Sequence, residues 1–93
     1  MASIHTLSLS DVVEDLHVKV INVMKDLPQD VEYGIATVCD FTGSISLVFE
    51  KKMASKVAAG RVLKIAGLIT STEEGVLELT VCDYNIYTNA WQN

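Results

Sequence analysis

The chain has 93 residues and a formal net charge of −5, with a sequence pI ≈ 4.7. Domains that hold phosphates by charge usually run basic, so this balance argues against strong sequence-blind binding to nucleic acid and against anionic membranes. Hydrophobic residues make up 49% and proline occurs once, a composition that fills a small core and excludes a disordered tail.

Along the chain, "LSLSDVVE" (7–14) reads as a short helical turn, with Asp11 and Glu14 as a capping-box variant. From Leu16 the period becomes two, with Leu16, Val18 and Val20 alternating against His17, Lys19 and Ile21, and a strand follows. "KDLPQD" (25–30) breaks it into a loop. "VEYGIATVC" (31–39) is a second strand in which Gly34 predicts a bulge or a sharp bend.

The cluster Asp40-Phe41-Thr42-Gly43 reads as a hairpin turn, with Asp40 accepting from turn backbone N–H groups and Gly43 free to take a positive φ. "SISLVFE" (44–50) is a third strand, with Ile45, Leu47 and Phe49 on one face. "KKMASKVAAG" (51–60) changes period: Met53 with Val57 and Ala54 with Ala58 predict a two-turn helix that ends at Gly60. "RVLKIAGLIT" (61–70) is a fourth strand bent at Gly67, "STEEG" (71–75) a turn, and "VLELTVCD" (76–83) a fifth strand.

Cys39 and Cys82 both fall in predicted strands and lack metal-binding spacing. The start "MASIHTLSLS" lacks the basic and apolar regions of a secretory signal, so both are expected to be reduced intracellular thiols, with a disulfide as the lesser alternative. No apolar run approaches the roughly 18 residues of a membrane helix.

Three strands, a helix and two more strands is the order of the OB-fold, an all-β, partly open five-stranded Greek-key barrel. "VCDFTGSISL", "GRVLKIAGLI" and "EGVLEL" moreover resemble small OB-folds of single-stranded DNA-binding proteins, the type found in the sensor-of-single-strand-DNA complex and replication protein A. The resemblance covers about 14–83 of a single domain spanning 1–93, with a tail at 84–93.

The resemblance implies a nucleic-acid groove across the second and third strands, where exposed rings stack bases. Ser44, Ser46, Val48 and Glu50 would face it. Family aromatic positions fall on Glu50, Ile69, Glu73 and Thr80, none of them a ring. The clamping loops are acidic, Lys25 standing against Asp26, Asp30 and Glu32, and Glu73 and Glu74 having no cation. Lys19, Tyr33 and Val48, with His17 nearby, form the candidate for residual nucleic-acid contact.

Catalysis, a metal or a cofactor is not expected, because neither His5 nor His17 has a partner spacing and no nucleophile arrangement occurs. Two features suit partner proteins instead. Lys51, Lys52 and Lys56, followed by Arg61 and Lys64, form a basic segment on the predicted helix and just beyond. Tyr84, Tyr87 and Trp91 are spaced as one stripe of an amphipathic C-terminal helix. The expectation is a nuclear, non-catalytic adaptor subunit in a complex that handles single-stranded DNA, with weak direct binding of single-stranded DNA or RNA as the alternative.

Overall fold

Leu16, Val18 and Val20 are buried while Lys19 between them is exposed, so the first strand sends every second side chain inward. The computed structural model describes residues 3–25 and 27–81 and the backbone of 86–88. Strand β1 (Val12–Val23) starts before the alternation does. Val13 pairs with Gly67 and Leu16 with Ile65, so Glu14 and Asp15 together face the single residue Ala66, a β-bulge. That extra residue breaks the period of two and hides the strand start from sequence reading. Strand therefore replaces the expected helical turn from Val12 onward. Asp11 caps no helix; its carboxylate accepts from the Ser8 N–H at 2.8 Å.

A second irregularity sets Ile21 outside the β1 ladder, between the pairs Val20–Val38 and Asn22–Thr37. The bent strand pairs with β4 through Val12–Lys19 and with β2 through Lys19–Val23. One long strand thus serves both walls, as a small barrel requires.

Strands β2 (Tyr33–Asp40) and β3 (Gly43–Glu50) form an antiparallel hairpin paired from Tyr33–Glu50 to Asp40–Gly43. Gly34 makes no bulge, because the register runs unbroken through its pairing with Phe49. It is small for another reason: a Cβ there would lie 2.5 Å from Phe49 Cζ. Nor does Gly43 take a positive φ, which among the glycines belongs to Gly60 and Gly75.

The segment after β3 is no α-helix. A 3-10 turn (Lys51–Met53) leads into turns closed by short-range bonds such as Lys56 N–H to Met53 O, 2.9 Å, and Val57 N–H to Ala54 O, 3.2 Å. Met53 and Val57 are nevertheless buried together, as their spacing predicts. They close the barrel end reached by the C-terminus of β3. Ile4, in a 3-10 turn at Ile4–Thr6, closes the end beside the Asp40–Gly43 turn.

Strands β4 (Val62–Ser71) and β5 (Leu77–Val81) pair antiparallel, and β5 runs parallel to β3. The order β1-β2-β3-β5-β4 closes through the β1–β4 pairing. Phe49, Leu16, Leu47, Leu63, Ile65 and Leu79 fill the interior, and no described polar or charged side chain is buried. A sixth strand, β6 (Ile86–Thr88), pairs with Leu63–Ile65, the β4 edge opposite β1 and beyond the part that β5 occupies. At these residues strand replaces the expected helical tail. Asp26, Cys82, Tyr84, Trp91 and the side chain of Tyr87 lie outside the described residues.

Candidate binding face

Because Gly34, Ala36, Val38, Leu47 and Phe49 are turned inward, the intervening side chains of β2 and β3 stand on the outer surface. The register fixes their neighbours: Tyr33 beside Glu50, Ile35 beside Val48, Thr37 beside Ser46, and Cys39 beside Ser44. Ser44, Ser46, Val48 and Glu50 are therefore on the face that the sequence assigned to them.

Two rows continue across the sheet. Val48 is registered with Thr80, Thr80 with Leu68, and Leu68 with Val12, so an aliphatic row runs Ile35–Val48–Thr80–Leu68–Val12. Leu68 is 45% and Val12 73% exposed. The adjoining row is polar, Thr37–Ser46–Glu78–Thr70. Thr70 and Thr80 share a hydroxyl–hydroxyl hydrogen bond of 3.0 Å. Glu78, half-buried on the middle strand, forms no side-chain hydrogen bond or ion pair with any described residue.

The basic residues are arranged otherwise. Lys19 is paired with Cys39, six positions along β2 from Tyr33, which is about 20 Å at strand rise. The structure thus brings Tyr33 and Val48 onto one surface but leaves Lys19 at its far end. Lys51 donates from Nζ to the Pro28 carbonyl at 3.0 Å, tethering the β1–β2 loop. Lys52 lies 3.3 Å from Glu50, and His17 lies 3.2 Å from Asp15. Lys64 is registered opposite His17 on the β1–β4 wall. Lys56 is half-buried in the plug segment between Met53 and Val57, and Arg61 is exposed just before β4.

Rings are few. Among the described residues Tyr33, 49% exposed, is the ring on this face; Phe41 sits fully exposed at the tip of the β2–β3 turn and Phe49 is in the core. Of the positions aligned with family aromatics, Glu50 and Thr80 lie on the face and Glu73 in the β4–β5 turn. Ile69 does not belong with them: it is 1% exposed and packs inside the barrel, so its position is not on the face. Sequence reading missed Leu68, Val12 and Glu78, since each joins the face only through pairing with chain-distant strands.

At the Cys39 end the face is anchored by Asp40. Its Oδ1 accepts from the Thr42 hydroxyl at 2.6 Å, the Thr42 N–H at 2.7 Å and the Gly43 N–H at 3.2 Å. Its Oδ2 accepts from the Ile4 N–H at 2.8 Å, and the Thr42 hydroxyl oxygen accepts from the His5 N–H at 3.0 Å. Partial burial works against ionisation of Asp40, but the Thr42 hydroxyl and the Ile4, Thr42 and Gly43 N–H groups outweigh it and hold the carboxyl below its ordinary range.

Five strands closed in this order, with β3 and β5 parallel, define an OB-type barrel. Among solved structures the chain is similar to the crystal structure of the p204 HINb domain, with a TM-score of 0.66 and 17% sequence identity over 94% of this chain and 46% of that one. At that identity the likeness is one of fold, and the chain spans under half of that neighbour's length. No family model matches the chain, and no curated protein matches it in sequence.

Proposed function

We propose that this domain is a non-catalytic OB-fold adaptor, a subunit that binds other proteins within a complex handling single-stranded DNA in repair, recombination, replication or telomere maintenance in the nucleus. The resemblance of "VCDFTGSISL" and "GRVLKIAGLI" to single-stranded DNA-binding OB-folds supports the setting. The observation that carries the adaptor role is the chemistry of the outer face. A single-strand groove combines stacking rings with cations that follow the phosphates. This face instead sets an aliphatic row, Ile35, Val48, Leu68 and Val12, beside the carboxylate of Glu78, which has no partner among the described residues. Lys51, Lys52 and Lys56 are a separate candidate patch for an acidic partner, and Tyr84, Tyr87 and Trp91 are candidate contacts for a partner helix.

Direct binding of single-stranded DNA or RNA through Lys19, Tyr33 and Val48 would rely, among the described residues, on Tyr33 as the ring of the face, with Lys19 about 20 Å away along the strand. Fluorescence anisotropy of labelled oligo-dT at low salt separates the two readings. The adaptor reading expects no binding tighter than about 100 μM, the weak end of sequence-blind association. A low-micromolar affinity that falls steeply with added salt would replace it with direct binding.

A further inference from the structure

Glu78 stands on the barrel's outer face near the start of β5, a strand that has neighbours on both sides. The residue is half-buried, and a cation on a partner could form a charge-assisted hydrogen bond with its carboxylate. No described residue supplies one. The nearest hydroxyl-bearing neighbours in register are Ser46 and Thr70, and Thr70 is engaged with Thr80.

One step along β5, Thr80 lies in the aliphatic row between Val48 and Leu68. Glu78 and Thr80 are two residues apart on a strand, a spacing of about 7 Å. Same-side residues i and i+2 of an extended peptide have that spacing as well. An aliphatic side chain resting on Val48 and Leu68 would thus place the cation of a residue two positions away over Glu78. The surroundings favour a basic occupant. Glu73 and Glu74 lie exposed in the turn at the Glu78 end of the face, whereas Lys51 and Lys52 stand near Asp30 and Glu32 at the other end, and the whole chain carries −5. A negative field of this kind speeds and selects the encounter with a cationic partner.

We infer that the β2–β3–β5–β4 face docks an extended basic-aliphatic segment of a partner protein, in which a Leu, Ile or Val is followed two residues later by Lys or Arg. The aliphatic side chain seats on the row Ile35–Val48–Leu68, and the cation pairs with Glu78. The assignment rests on the adaptor reading and gives that reading a partner chemistry.

The test uses a fluorescein-labelled peptide of the repeat Val-Ser-Lys-Ser, followed by anisotropy against the whole chain, with a Val-Ser-Glu-Ser peptide and oligo-dT as comparisons. Saturable binding of the lysine peptide is expected, weakened about fivefold by Glu78→Gln and about tenfold by Leu68→Ser. Asp15→Asn removes the same charge on the β1 bulge and should leave the affinity unchanged. Both Asp15 and Leu68 are exposed, so melting temperatures close to that of the unsubstituted chain confirm intact folds. Equal weakening by Glu78→Gln and Asp15→Asn would show diffuse attraction and overturn the assignment, as would equal affinity for the glutamate peptide. Absence of both peptide and oligo-dT binding overturns this docking site alone and leaves the adaptor reading to other surfaces. Low-micromolar binding of oligo-dT overturns both.

Discussion

Asp40 does two jobs with one carboxylate: it shapes the β2–β3 turn and ties the N-terminal 3-10 turn to the barrel end. The first was legible in the sequence, because Asp followed by Thr and Gly between apolar runs is turn chemistry. The second was not, since the Ile4 N–H it accepts lies 36 residues away. Asp40→Asn keeps the shape but loses the charged acceptor, and should lower stability by about 1–2 kcal/mol in denaturant unfolding. The pH dependence follows from the lowered pKa. Above about pH 5 the carboxylate is ionised in both folded and unfolded chains and its contribution is full. As pH falls further the unfolded chain takes up the proton first, so the contribution shrinks until the folded carboxyl protonates too. Melting temperatures of the natural chain and of Asp40→Asn should therefore differ at neutral pH and converge in acid. A gap that stays constant with pH would mean that the clasp does not depend on charge.

At the scale of elements, strands β2, β3, β4 and β5 were readable because alternation of Val, Ile and Leu with smaller or polar residues survives in each. The beginning of β1 was hidden by its bulge at Glu14 and Asp15. The helix expected at 51–60 failed for an energetic reason. Two turns of α-helix have a costly nucleus, whereas successive short-range turns bury the same Met53 and Val57 pair. Spacing predicted what is buried and missed the backbone that buries it. Glycines at 34 and 67 were rightly singled out, but close contact explains them better than bending. A Cβ on Gly34 would meet the Phe49 ring, and a Cβ on Gly67 would lie 2.4 Å from the Thr80 carbonyl oxygen, beside the Leu68–Thr80 pair of β4 and β5. Gly34→Ala forces a buried ring to move and should destabilise by about 1–3 kcal/mol. Gly67→Ala pushes against backbone and should cost more, together with faster amide exchange in β5. Equal, small losses at both positions would contradict the closure described for the β4–β5 wall.

For the whole molecule, order of elements was enough to name the barrel, because three strands, a crossover and two strands leave few closed topologies. The face was legible only in its β2–β3 half, where neighbours are close in sequence. Leu68, Val12 and Glu78 join it through β4–β1 and β3–β5 pairing, which no local pattern encodes. The glutamate that ends β3 was a sign that the surface differs from a stacking groove; it is paired with Lys52, whereas Glu78 has no partner among the described residues. Amide-shift mapping of the isotope-labelled domain tests the central claim most directly, with oligo-dT and then the Val-Ser-Lys-Ser peptide added to one sample. The account predicts that Tyr33, Thr37, Ser46 and Val48 stay unmoved by oligo-dT up to about 100 μM, and that the peptide then shifts Val48, Leu68 and Glu78. Saturable shifts of Tyr33 and Val48 with low-micromolar oligo-dT would contradict it.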